Sequence, residues 1–177
     1  MKVTVITGSP HKRGTSALLA DRFIQGAQEA GHQVFRFDAA FQKVHPCIGC
    51  GRCRKTDLGC VFQDGMQELN PHLLEADAVV FVSPIYYYDW TAQIKTVIDR
   101  FHGNGPALRV PKKTALLLTM EDETMESAAG AIQSFQGMTN FLKWQRVGVI
   151  SALNCGDLEA MEKTDYPQQA YELGRGL

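Results

Sequence analysis

The chain has 177 residues, 45% of them hydrophobic and 21% charged, with a formal net charge of −1. A chain of this length fits one domain and buries a sizeable core without metal or disulfide staples, and its composition excludes a disordered chain. The near-neutral balance makes no electrostatic case for nucleic acid or an anionic membrane, and no apolar run approaches the roughly 20 residues of a transmembrane helix.

Residues 2–7 are short, β-branched and followed by a Gly-Ser-Pro turn, so the chain opens on a strand. No secretory signal is expected, and the expected compartment is the cytosol. Residues 15–30 read as a helix, with Leu19, Phe23, Ala27 and Ala30 on one face and Gly31 as its stop. A second strand is expected over 33–37. A loop rich in glycine and cysteine follows, over about 46–62. Asn70-Pro71 suits the N-cap and first position of a helix through Glu75, because Pro71 would interrupt one that began earlier. The run Ala78–Val82 is continuously apolar, as in a strand buried on both faces of a parallel sheet. Thr91 can cap a helix whose apolar positions, Ile94, Val97, Ile98 and Phe101, follow the amphipathic spacing. A strand over 114–118, a helix from Ala128 to Leu142, a strand over 147–151 and a last helix from Asp165 complete the pattern. Five strands alternating with helices predict one α/β domain over 1–177, with a parallel sheet covered on both faces.

In such a sheet ligands bind beyond the carboxyl ends of the strands, which directs attention to loops 8–16, 83–91 and 119–124. The first carries the hydroxyls of Ser9, Thr15 and Ser16 and opens a helix, whose free amides and dipole favour an anion. Its glycines, Gly8 and Gly14, fit neither the Rossmann nor the Walker spacing. A single phosphomonoester is the natural occupant; a solvated turn with ordinary caps is the plain alternative. The second loop holds Tyr86, Tyr87, Tyr88 and Trp90 behind a stiff Pro84. Aromatic faces there suit a planar ring, or a surface buried between subunits.

Cys47, Cys50, Cys53 and Cys60 are spaced C-x2-C-x2-C-x6-C. Thiolates at this density in a reducing compartment point to metal or redox chemistry rather than a disulfide framework. Three readings stand: a 4Fe-4S cluster, a four-cysteine zinc site, or free thiols. Cys155 stands alone and reads as a buried core thiol.

Gly8-Ser9-Pro10 with Gly14-Thr15-Ser16, then Ser83-Pro84-Ile85-Tyr86, then Thr91–Lys95 and Asp99-Arg100 resemble the NADPH-dependent FMN reductase and iron-sulfur flavoprotein group. The likeness runs along nearly the whole chain and includes Lys143-Trp144, Gly156-Asp157 and the ending Ala170–Gly174. It implies a flavodoxin-like three-layer fold with strand order 2-1-3-4-5, binding FMN. Ser9, His11, Thr15 and Ser16 match positions that hold the FMN phosphate, with His11 a departure from the Arg frequent there. Pro84, Ile85, Tyr86 and Tyr87 match positions lining the isoalloxazine ring, and Thr119 matches the third loop. Lys95, Asp99 and Arg100 match a helical signature whose plain reading is a surface ion pair. The four clustered cysteines resemble the compact iron-sulfur motif of the group.

The flavin would carry the chemistry, so no acid, base or nucleophile is assigned. The implied activity is electron transfer from NAD(P)H to a small acceptor such as a quinone or flavin. A relay of single electrons between protein partners through a cluster and FMN is the alternative, and a flavin-free binding module the plainest one. A homodimer or homotetramer is implied, with neither nucleic acid nor membrane as partner.

Overall fold

The computed structural model of the chain describes residues 1–56 and 59–177. Residues 57 and 58, inside the cysteine loop expected over 46–62, lie outside the described residues.

Hydrophobic alternation places the strands. In β3 (Ala78–Tyr86), Val79 and Phe81 enter one core while Ala78, Val80 and Val82 enter the other. β1 (Lys2–Thr7) flanks β3 on one side and pairs with β2 (Gln33–Asp38); all three run parallel. After β3 comes a two-residue strand, β4 (Asp89–Trp90), antiparallel to it. On the other side, β3 pairs with β5 (Lys113–Thr119), and β5 with β6 (Gln145–Ala152), again parallel. The order is β2-β1-β3-β5-β6, with β4 off the path. The parallel strands thus stand in the flavodoxin-like order, and the sheet has six strands rather than the expected five.

Against one face lie α1 (Thr15–Glu29) and α7 (Tyr166–Arg175), through Leu19, Phe23, Ala27 and Ala170. Against the other lie α3 (Met66–Glu75), α4 (Ala92–Arg100) and α5 (Ala129–Leu142). Two short helices, α2 (Arg52–Lys55) and α6 (Leu158–Glu162), sit in connecting segments. α3 begins at Met66, five residues before the first helical position expected at Pro71, and so carries Pro71 inside it. A proline inside a helix costs about 3 kcal/mol. Burial of Met66, Leu69 and Leu73, each worth roughly 1.5–3 kcal/mol, offsets that. Lys112, buried beside the end of α3, donates from Nζ to the carbonyls of Leu74 and Ala76. Among the described residues no helix is long and apolar enough to cross a membrane.

Candidate functional site

The register of the sheet brings the three loops together. Thr7 pairs with Val82, and Pro84 with Thr119, so β1 and β5 end within two residues of each other on either side of β3, and the loops leave side by side. Between these loops lies a cleft of about 580 Å³. That is within the range of roughly 300–1,000 Å³ typical of ligand sites. Ser9, His11, Thr15 and Ser16 line it from the first loop, Pro84, Ile85 and Tyr86 from the second, and Thr119 from the third. Tyr87 does not line it.

At the first-loop end, α1 starts from Gly14, and no side chain caps it. An uncapped first turn leaves backbone amides seeking an acceptor, and the helix dipole adds partial positive charge. Ser9 Oγ accepts from the amide of His11 at 3.2 Å, which folds the loop back on itself. Arg13 also lines the cleft, although its place in a His-Lys-Arg run gives it the reading of a solvated charge. Lys12 instead lies over the Phe41 ring, 4.9 Å from its centre. Ser16 Oγ and Thr119 Oγ share a buried hydrogen bond of 2.7 Å, tying the first loop to the third. An uncapped helix start with nearby hydroxyls and the Arg13 cation suits a phosphomonoester, and the opening between the loops suits a flat ring. The residues present therefore fit FMN.

The aromatic loop is a hairpin. Ile85 pairs with Trp90 and Tyr86 with Asp89, leaving Tyr87 and Tyr88 as the two turn residues, both with positive φ, 48° and 67°. Two left-handed central residues make the tight turn whose twist matches its strands, but that turn favours Asn-Gly. Tyrosine in this region costs on the order of 1–2 kcal/mol per residue. The turn throws the Tyr87 ring outward, where it is 100% exposed. This is why Tyr86 alone of the three tyrosines lines the cleft. Gly130 of α5 gives the hairpin its seat, since a Cβ there would strike the Tyr88 carbonyl oxygen at 2.7 Å.

The far wall consists of Met120, Glu121 and the segment from Cys155 to Leu158. Met120 and Glu121 lie in the loop 119–124 to which the sequence directs attention, but neither was named there, and the segment from Cys155, which follows the carboxyl end of β6, was given no part in the site. Cys155 is buried, as expected, and burial pushes its thiol pKa up.

The cysteine segment is an excursion on a built neck. The amide of Gly65 donates to the Lys43 carbonyl at 2.9 Å, and that of His45 to Asp64 Oδ2 at 2.9 Å. Arg100 closes the neck. Its guanidinium donates to the His45 carbonyl and to Asp64 Oδ2, both at 2.7 Å, and to Asp64 Oδ1 at 3.3 Å. The side chains of this ion pair are only 4% and 2% exposed, which corrects the surface-pair reading of Arg100. Lys95 and Asp99 do form the exposed pair, at 2.5 Å. Phe62 stacks on His45 and lies under Arg100. Beyond the neck, Cys47 and Cys50 are exposed and Cys53 and Cys60 half-buried, all as free thiols. Gly49, Gly51 and Gly59 all take positive φ, which leaves the backbone free to turn sharply. Among the described residues, no three His, Cys, Asp or Glu side chains gather as a metal site requires. The donor chemistry suits iron-sulfur or zinc; the arrangement shown here does not assemble it.

Burial alone would raise the pKa of Asp64, but the Arg100 guanidinium and the amides of His45 and Met66 hold it below its ordinary 3.8. The folded value is depressed, so the contribution to stability is full above the unfolded pKa and is lost as pH falls through the folded one. The melting temperature of the wild type should therefore exceed that of Asp64→Asn by a constant margin at and above neutral pH. The margin should narrow as pH drops below 3.8. A margin unchanged across that acid window would show that Asp64 has no depressed pKa.

A family model described as NADPH-dependent FMN reductase matches residues 1–154. The chain belongs to that family. It is 38% identical over 111 residues to an iron-sulfur flavoprotein of Archaeoglobus fulgidus, covering 62% of this chain and 50% of that one. It is 29% identical over 140 residues to an iron-sulfur flavoprotein of Methanosarcina thermophila, covering 79% of this chain and 65% of that one. The chain thus spans about half to two thirds of the length of these relatives. Among solved structures, it superposes on the NAD(P)H:quinone oxidoreductase from Methanothermobacter marburgensis with a TM-score of 0.71 at 18% identity, covering 98% and 95% of the two chains. An azoreductase from Bacillus anthracis gives 0.72 at 17% identity, over 100% of both chains. At these identities the superpositions establish the fold of this FMN reductase relative, and its flavodoxin-like layers agree with theirs.

Proposed function

We propose that this chain is an FMN-dependent oxidoreductase passing electrons from NAD(P)H to a small acceptor such as a quinone or a flavin. The observation that carries the reading is the cleft itself, with an uncapped α1 start at one end and the Pro84–Tyr86 edge at the other. Family membership supplies the chemistry expected there. Ser9, Thr15, Ser16 and the first-turn amides of α1 would hold the phosphate, with His11 beside them and Arg13 adding positive charge. Pro84, Ile85 and Tyr86 would present backbone and ring edge to the isoalloxazine, with Thr119 and Glu121 opposite. Bound FMN supplies hydride and electron transfer. The chain's residues orient it, and the exposed side of the cleft leaves room for donor and acceptor.

The cysteine excursion supports a second element of the proposal, a 4Fe-4S cluster on Cys47, Cys50, Cys53 and Cys60. Four thiols on one short loop, and relatives named iron-sulfur flavoprotein, favour it. With a cluster, single-electron relay to protein partners becomes the alternative activity. The exposed Tyr87–Tyr88 hairpin further favours a homodimer or homotetramer, and sedimentation showing only monomer would exclude it. Free thiols suit the reducing cytosol.

The deciding experiment is the visible spectrum of protein purified without oxygen, with iron, sulfide and zinc assayed on the same sample. A two-banded flavin spectrum without iron is expected for a plain reductase. Broad brown absorption over the flavin bands, with about four irons and four sulfides per chain, is expected for the cluster form. Zinc alone would convert the excursion into a structural site. Protein that neither retains nor rebinds FMN would refute the principal reading.

A further inference from the structure

We infer that Thr91 is a positioning residue for the flavin: without touching the ligand, its hydroxyl sets the phosphate loop in register with the Pro84–Tyr86 edge. The inference rests on the FMN reading proposed above.

Thr91 occupies the N-cap of α4 and is fully buried. A threonine there ordinarily turns its oxygen to an amide of the first turn. No such bond forms; Thr91 Oγ1 donates instead to the Gly8 carbonyl at 2.8 Å. The hydroxyl that could have capped the helix is diverted across to the first loop.

The same residue grips the second loop. The Thr91 amide donates to Ser83 Oγ at 3.1 Å, and Ser83 Oγ donates to the Pro84 carbonyl at 2.8 Å. Gly8 is held from its other side as well, its amide donating to the Val82 carbonyl at 2.8 Å. It has no room for a side chain, because a Cβ would lie inside 3.0 Å of both Thr91 Oγ1 and Ile94 Cβ. Gly8 immediately precedes Ser9, and Ser83 immediately precedes Pro84. Thr91 therefore fixes the distance between the two ends of the cleft. A ligand gripped at two points loses affinity when their spacing drifts, far more than one gripped at a single point.

That distinction gives the test. Flavin-stripped protein is titrated with FMN and with riboflavin, which lacks the phosphate, using quenching of flavin fluorescence. In the wild type FMN should bind more tightly than riboflavin. Thr91→Val keeps the shape and removes the hydroxyl, so FMN should weaken by about tenfold or more, with riboflavin changed far less. Thr91→Ser should restore the FMN affinity. Ser83→Ala breaks the link from the other side and should show the same selective loss, which keeps the test valid if Thr91→Val folds poorly. Equal weakening of both flavins, unchanged FMN affinity, or failure of the serine to restore it would overturn the inference. A wild type that binds riboflavin and FMN equally well would overturn it too. A wild type that binds neither flavin would bring down the FMN reading itself.

Discussion

Replacing Arg100 by Met should destabilise the protein by about 3–5 kcal/mol, the range for removing one member of a buried ion pair. For a domain of this size, roughly 2–4 °C per kcal/mol turns that into a large fall in melting temperature. The magnitude comes less from lost attraction than from what remains. Asp64, 2% exposed, would keep a charge with neither solvent nor guanidinium to stabilise it. The His45 carbonyl would lose its donor as well. The fault should be local first. His45 and Asp64 form the neck of the cysteine excursion, so protease cleavage between residues 46 and 62 should accelerate before global unfolding. Arg100→Lys should rescue only part of the loss. An ammonium cannot span both Asp64 oxygens and the His45 carbonyl from one rigid plane as the guanidinium does. The double variant Arg100→Met with Asp64→Asn should recover much of the stability, because no unpaired buried charge is left. Thermal melts of the wild type, Arg100→Met, Asp64→Asn and the double variant form the cycle. Additive single-variant effects would show that the pair is not coupled.

Arg100 also marks a boundary of what the sequence could reveal. Lys95 and Asp99 lie four apart on one helix, and their pairing follows from helical spacing alone. Arg100 faces a carboxylate 36 positions away, whose approach depends on how the excursion leaves and rejoins the fold. No local pattern encodes that. The same division runs through the cleft. The apolar run of β3 made its double burial legible, and with it the parallel sheet and the loops that form the site. The β4 hairpin was not legible, because Tyr-Tyr lacks the glycine or asparagine that announces a left-handed turn. Tyr87 was consequently expected on the ring-binding wall, while the turn directs it to solvent. The start of α3 was hidden by Pro71, whose local penalty is outweighed by tertiary burial of Met66, Leu69 and Leu73. Thr91 was legible as a cap position but not as a cross-link, since its acceptor lies 83 residues earlier.

Gly26→Ala and Gly174→Ala should each lower stability, by about 1–3 kcal/mol, against the direction that helix propensity dictates. Both glycines lie inside helices, where alanine is ordinarily favoured by roughly 1 kcal/mol. Tertiary contact reverses the sign. α1 and α7 cross with their backbones in contact at these positions. A Cβ on Gly26 would lie well inside 3.0 Å of the Tyr171 carbonyl oxygen, and one on Gly174 equally close to that of Phe23. The obstructing atoms belong to the main chain, so no rotamer change relieves the clash and the helices must separate. Separation loosens Phe23, Ala27 and Ala170 from the core beneath. Because one displacement accommodates both methyl groups, the double variant should lose less than the sum of the singles. Gly137 of α5 supplies the control, since a Cβ there meets nothing within 4 Å. Gly137→Ala should therefore raise stability by about 0.5–1 kcal/mol. Denaturant titrations of the three single variants decide the matter. If all three shift in the stabilising direction, the close crossing of α1 and α7 is wrong. If only Gly137→Ala stabilises, the two glycines are present because the helices touch there.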